Sequence, residues 1–192
     1  TILVKEKDAK LVQYNGVLPG DILIGDDTGH DKLHEEKAGN EIEYTGKIGV
    51  ASIKDHIQRL ANNYGGDINT ITLNDIESTF TTKITLEDGL DISNVTEAIF
   101  TDNNLFEIKE FSKSGNVVTV KYGLKKNYTK FTDLLTDVTN VPDVLEIKLP
   151  KVKVKDDLAN GTKLKVIGTV EGTFTGFAKT ASGNREQYNF RW

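Results

Sequence analysis

Apolar and polar residues alternate with a period of two along much of the chain. The clearest run is residues 79–86, in which Phe80, Ile84 and Leu86 share a face with Thr82. This alternation is typical of strands half-buried in an antiparallel sheet, and the many threonines favour β-structure. Similar runs occupy residues 42–50, 118–124, 145–154, 164–174 and 188–192. The pattern therefore predicts a mostly β chain.

Two short segments have a helical period instead. In the first, Ile53, Ile57, Leu60 and Ala61 recur at helical spacing, between a capping box of Ser52 with Asp55 and a Gly65-Gly66 stop. In the second, the apolar positions are Phe131, Leu134, Leu135 and Val138, and the helix should end before Pro142. We therefore predict two short α-helices, each with one apolar stripe.

Turn-forming residues separate the predicted strands, and they include Glu87-Asp88-Gly89 and Ser114-Gly115-Asn116. Gly115-Asn116 and Asn160-Gly161, each between two alternating runs, predict β-hairpins because Gly and Asn tolerate positive φ. Residues 25–40 are polar and rich in Gly, Asp, His and Glu, which predicts a long acidic surface loop. Neither an internal repeat nor a low-complexity linker divides the sequence, so we expect residues 1–192 to form one domain.

Composition narrows the function classes. The net charge of -5 argues against nucleic acid as a main partner, because an acidic chain repels phosphates. The absence of cysteine excludes disulfides and thiolate metal sites, and no apolar run is long enough for membrane insertion. The sequence contains no methionine, and we interpret it as a piece of a larger protein.

Catalytic motifs are not found in the sequence. It has no cysteine nucleophile, no G-x-S-x-G motif and no glycine-rich phosphate-binding motif. We therefore expect a protein that is not an enzyme and needs no cofactor. Three alternating lysines, Lys151, Lys153 and Lys155, form a lysine stripe that could bind an anionic glycan or a fibrous protein. We interpret it instead as protection of an edge strand against pairing with other chains.

The segment predicted as an acidic loop also contains the candidate metal ligands. They are Asp26, Asp27, His30, Asp31 and His34, and carboxylates with imidazoles can bind zinc or calcium. Their spacing does not match an EF-hand, and Gly29 opposes a helix that would place the histidines on one face. We therefore interpret the segment as a solvated acidic loop.

Several segments together resemble a known family. Residues 78–90, STFTTKITLEDGL, resemble the strand and Leu-Pro-x-Gly-Leu opening of Ig-like adhesin domains in Gram-positive cell-wall-anchored proteins, although Glu87-Asp88 replaces the usual proline. Residues 116–120, 161–178 and 188–192 continue the resemblance, which spans about residues 40–192. It implies an antiparallel Ig-like β-sandwich, here carrying two short helices.

This resemblance also implies a function. The expected role is a non-catalytic extracellular module of a bacterial surface adhesin, located at the cell surface or wall. It would bind a host matrix protein or glycan, or serve as a stalk repeat beside neighbouring repeats of the same chain. The alternatives are a structural component of a phage-like tail or surface layer, and an accessory domain of a secreted carbohydrate-active enzyme.

Some domains of this class contain an internal isopeptide bond between lysine and asparagine beside a buried acid. The reaction needs a neutral amine, which burial supplies by lowering the lysine pKa. The candidates here are Lys47 or Lys83, with Glu77 and Asn189. However, the two lysines and the asparagine fall on the polar phase of their strands, so we expect them to face solvent as ordinary surface residues.

Overall fold

The computed structural model describes residues 21–24, 33–159, 161–179 and 187–191. In chain order its α-helices and strands are β1 (Asp21–Ile24), β2 (Leu33–Glu36), β3 (Glu41–Gly49), α1 (Ala51–Asn63), β4 (Thr72–Leu86), β5 (Leu90–Asp91), β6 (Ile99–Phe100), β7 (Phe106–Ser114), β8 (Val117–Leu124), α2 (Phe131–Asn140), β9 (Val144–Val154), β10 (Lys163–Lys179) and β11 (Gln187–Arg191). A short 3₁₀ helix, Ile68–Thr70, lies between α1 and β4. The prediction of a mostly β fold with two helices is confirmed.

The strands form two sheets. The larger has the order β2-β1-β10-β4-β8-β7, with β11 also paired to β10, and the smaller has the order β3-β9-β5, with β6 also paired to β9. The described pairs are antiparallel except β1 with β2, which is parallel. Alternation specifies which face of a strand is buried but not the direction of the neighbouring strand, so the parallel pairing of β1 with β2 was not predicted.

The two sheets share one hydrophobic core, to which both helices contribute. Phe100 of the smaller sheet lies against Tyr122 of the larger, with ring centroids 5.1 Å apart. The Tyr122 ring in turn stacks on Phe80 at 5.5 Å, and Phe106 meets Phe80 edge-on at 5.5 Å. This aromatic cluster, made of Phe80, Phe100, Phe106 and Tyr122, joins the inner faces of the sheets.

Both helices bury the predicted apolar stripes, but the first one starts differently from the prediction. Helix α1 begins at Ala51 with Val50 at the N-cap position, which places Ser52 inside the helix, so the predicted capping box is wrong. The start is fixed by packing instead, since Val50, Ile53 and Ile57 are all buried. Neither described helix is long and apolar enough to cross a membrane.

A change of phase within β9 produces a bulge. The buried positions shift from Leu145, Ile147 and Leu149 to Val152 and Val154. Across the strand pair, Leu149 lies opposite Tyr44 and Val152 opposite Ile42, so two residues of β9 face only one of β3. Lys151 adopts φ 65° at this point. The extra residue keeps both halves of β9 directed into the core.

One predicted hairpin is confirmed and one is wrong. Gly115, at φ 59°, and Asn116 connect the antiparallel strands β7 and β8. The connection containing Asn160-Gly161 instead links β9 to β10, which belong to different sheets. A favourable turn sequence permits a reversal of the chain but does not determine which sheet the next strand joins.

The segment predicted as a long loop, residues 25–40, contains a strand. Residues 33–36 form β2 beside β1, so the loop prediction is wrong for these four residues. Backbone pairing with β1 supplies hydrogen bonds that the polar composition did not suggest. Residues 25–32 lie outside the described residues.

The buried hydroxyl of Ser78 yields a stability prediction. In the described structure its Oγ atom has no hydrogen-bond partner, and burying a hydroxyl without a partner is unfavourable. We expect Ser78→Ala to stabilise the fold by about 1 kcal/mol in chemical denaturation. Ser112→Ala, at an exposed position of β7, is the matched control and should be neutral. Destabilisation by Ser78→Ala would show that the hydroxyl has a partner in solution.

Candidate functional site

The structure does not bring the candidate isopeptide residues together in the core. Lys47 lies in the smaller sheet opposite Glu146, whereas Lys83 lies in the larger sheet between Thr169 and Thr119. Both lysines are exposed, as the alternation predicts, and Glu77 is exposed as well. Asn189 lies in β11 opposite Phe177, and its side chain is outside the described part of the structure.

The candidate metal ligands fall largely outside the described residues. This applies to Asp26, Asp27, His30 and Asp31, while His34 lies in β2 opposite Ile22. Within residues 33–159 and the shorter described segments, no cluster of three or more His, Cys, Asp or Glu residues could hold a metal ion.

The lysine stripe does not protect an edge strand, and that interpretation is wrong. Strand β9 is central, with β3 on one side and β5 and β6 on the other. The backbone of Lys153 pairs with both Glu41 and Asp91, and its ammonium lies 3.4 Å from Asp156. Alternating lysines are equally compatible with a central strand whose exposed face carries acidic neighbours.

An open cleft of about 490 Å³ lies where three connections meet. They are the β4–β5 turn, the segment after β5 and the tip of the β7–β8 hairpin. Its lining residues are Asp88, Leu90, Asp91, Ile92, Ser93, Lys113, Gly115, Asn116 and Lys155. We refer to this site as the polar cleft.

The β4–β5 turn is held firmly in place. The Glu87 side chain accepts a hydrogen bond from the Lys165 amide at 2.6 Å, and the Glu87 amide donates to the Lys165 carbonyl at 3.0 Å. Gly89 has φ 115°, and a Cβ there would lie 2.8 Å from a methyl group of Leu164. A glycine is therefore required by both conformation and space. These contacts fix the position of Asp88.

The segment after β5 is shaped by a local turn. The carboxylate of Asp91 accepts hydrogen bonds from the Ser93 amide at 2.9 Å and from the Ser93 hydroxyl at 2.7 Å. From β7, the Lys113 ammonium donates to the carbonyls of Ile92 at 2.9 Å and Ser93 at 2.8 Å. Lys113 thus connects the hairpin to the turn and is held at the wall of the cleft.

A salt bridge completes the rim. Lys155, at the end of the lysine stripe, lies 2.9 Å from Asp88. Its hydrogen bond and charge lower the pKa of the Asp88 carboxyl, and the same contact raises the pKa of Lys155. Hydrogen bonds from Ser93 lower the pKa of Asp91. These three groups therefore keep their charges through the neutral pH range.

The polar cleft combines two cations, two carboxylates, a hydroxyl and an amide. Such a set can bind a small polar ligand through several hydrogen bonds. It contains neither a cysteine nor a histidine. The sequence indicated the turns at 87–89 and 114–116, but nothing in it showed that they meet or that Lys113 reaches the turn after β5.

A second polar cluster, made of Lys126, Tyr128 and Asp137, stabilises the fold. The buried Tyr128 hydroxyl donates to Asp137 Oδ2 at 2.7 Å, and Lys126 lies 2.9 Å from the same oxygen. Burial raises the pKa of Asp137, but the hydrogen bonds from Tyr128 and Lys126 outweigh it and the net shift is downward. Burial and the contact with Asp137 raise the pKa of Tyr128. This cluster ties α2 to the chain that precedes it.

Comparison with protein-family models, with curated proteins and with solved structures finds no match for this chain.

Proposed function

We propose that this chain is a non-catalytic extracellular module of a bacterial surface adhesin, which attaches to a host matrix protein or glycan through the polar cleft. The observation that carries this proposal is the cleft itself. It is open to solvent, has a volume of about 490 Å³ and is lined by charged groups whose positions are fixed by hydrogen bonds. Groups held in place before binding lose little conformational entropy when a ligand arrives.

An Ig-like β-sandwich is the architecture we propose for the module. Two sheets share one core, and the aromatic cluster connects their inner faces. Loops at one end of such a fold are a common place for binding residues, because the sheets hold them rigidly. The polar cleft is built in this way, from two turns and a hairpin tip supported by β4, β8 and β9.

The polar composition of the outer face of the larger sheet also favours a module that is exposed to solvent. Threonines and charged residues alternate there along β4, β8 and β10, with Lys83 beside Thr119 and Thr169, and Lys121 beside Thr81. Mixed polar faces of this kind remain well hydrated and discourage non-specific association. Specific attachment is therefore expected at the cleft rather than across the flat face of the sheet.

A binding screen tests the proposal. The purified chain should bind at least one member of a panel of immobilised matrix proteins and glycans, measured by surface plasmon resonance. Asn116→Arg, which fills the cleft from the hairpin tip, should weaken that binding by about tenfold or more, whereas Asn104→Arg, at an exposed site outside the lining, should not.

Two outcomes would contradict the proposal. Uniform failure across the panel, with circular dichroism showing a folded chain, would remove the adhesin function. Binding that is equally strong for both arginine variants would show that attachment uses another surface.

A further inference from the structure

We infer that the polar cleft binds a saccharide carrying a single carboxylate, and that the Lys113 ammonium is the group that pairs with this carboxylate. The inference rests on the proposed function, since it names the ligand class of the same site.

Lys113 is a cation fixed in place but not neutralised by a described carboxylate. An ammonium group has three N–H donors. Two are used on the carbonyls of Ile92 and Ser93, at 2.9 and 2.8 Å. Among the described residues, no salt bridge joins Lys113 to an acidic side chain. One donor and a full charge are therefore available to an anionic ligand group.

The other charges of the cleft are already engaged. Lys155 pairs with Asp88 at 2.9 Å, and Asp91 accepts two hydrogen bonds from Ser93. Lys155 therefore offers an incoming anion much less than Lys113 does. A carboxylate beside Lys113 would form a charge-assisted hydrogen bond, which is stronger than a neutral one.

The rest of the lining suits the hydroxyl groups of a sugar. Asp88 and Asp91 provide carboxylate acceptors, and the Asn116 amide can donate and accept. The Ser93 hydroxyl can accept, because its own proton is donated to Asp91. The volume of about 490 Å³ lies within the range of about 300–1,000 Å³ that small-molecule sites have. A polyol ring presents hydroxyls around its whole edge, so it can use several of these groups together.

The two aspartates restrict the charge of the ligand. With Lys113 and Lys155 they bring the formal charge of the lining to zero, since two positive and two negative groups cancel. A sulfated polysaccharide, a nucleic acid or a peptide with several acidic residues would place further negative charge next to these carboxylates. A sugar with one carboxylate places its only charge beside Lys113.

Nuclear magnetic resonance titration with matched probes tests the inference. Methyl β-D-glucuronide should shift the amide signals of Ser93, Gly115 and Asn116, and methyl β-D-glucoside, which lacks the carboxylate, should bind about tenfold more weakly or not at all. Lys113→Gln should weaken glucuronide binding by about tenfold, and Lys113→Arg should retain most of it. The control is Lys121→Gln, which should bind glucuronide as the wild type does. Lys121 is exposed, lies outside the cleft and pairs with Glu110.

The possible results separate this inference from the proposed function. Equal binding of glucoside and glucuronide, or glucuronide binding unaffected by Lys113→Gln, would overturn the role of Lys113. Preferential binding of a short glutamate-containing peptide would overturn the saccharide class. If the matrix screen finds a partner and neither probe shifts the cleft signals, the adhesin function stands and this inference fails. If glucuronide binds and the screen finds no partner, this inference stands and the adhesin function fails.

Discussion

Replacing Gly172 with alanine is expected to destabilise the fold by about 3 kcal/mol, the upper end of what overpacking usually costs. Gly172 of β10 lies directly opposite Phe80 of β4, and the ring covers the glycine. A Cβ at Gly172 would lie 1.9 Å from Cδ1 of Phe80. The ring cannot move aside easily, because Tyr122 stacks on it and Phe106 meets it edge-on. The free energy of unfolding measured in denaturant checks the effect.

Gly49→Ala provides the control for this substitution. Gly49 also lies in a strand, but a Cβ there meets no atom within 4 Å. Its replacement should be neutral or stabilising by about 0.5 kcal/mol, because alanine reduces the entropy of the unfolded chain. Combining Gly172→Ala with Phe80→Leu should give less destabilisation than the sum of the single effects. Equal stability of the two alanine variants would show that Phe80 is not held over Gly172.

Most strands could be predicted because burial imposes a simple period on each of them. In β4 the predicted inner face of Phe80, Thr82, Ile84 and Leu86 is fully buried. Thr82 is polar, yet it belongs there because its hydroxyl bonds to the Tyr122 hydroxyl at 3.2 Å. Alternation therefore indicated the correct face even at a residue whose chemistry argued against it.

Connections between strands could not be predicted in the same way. The route from β9 to β10 depends on which sheet the next strand joins, and that is decided by packing between distant parts of the chain. The central position of β9 was missed for the same reason. Its alternating lysines were assigned to an edge, although β3 and β5 lie on either side.

The polar cleft depends on long-range contacts of this kind. Lys113 is 20 residues from Ser93 in the sequence, and Lys155 is 67 residues from Asp88. No local pattern of residue types marks such pairs. The turn residues 87–89 and 114–116 were recognised only as turns, and their approach to one another follows from the pairing of β4 with β8 and of β5 with β9.

The second large effect is expected at Asp137, and here the sequence does contain a signal. Asp137 lies in the last turn of α2, where the helix dipole disfavours a negative charge, and its side chain is only 10% exposed. Such a carboxylate needs partners that stabilise its negative charge, and Tyr128 and Lys126 provide them. Asp137→Ala should lower the free energy of unfolding by about 3 kcal/mol, since it leaves the buried Tyr128 hydroxyl without its acceptor. Asp133→Asn, at an exposed position of the same helix, should change stability by no more than about 0.5 kcal/mol.

The dependence on pH gives this prediction a separate test. The pKa of the Asp137 carboxyl is lowered in the folded state from its ordinary value of 3.8. Its contribution to the free energy of unfolding is therefore complete above pH 3.8 and is lost as the pH falls through the folded-state pKa. The stability difference between wild type and Asp137→Ala should therefore be constant near neutral pH and shrink in acid. In the alanine background, Tyr128→Phe should cost little or restore stability, because the hydroxyl has already lost its acceptor. A difference independent of pH down to acid unfolding would mean that Asp137 acts through packing and not through its charge.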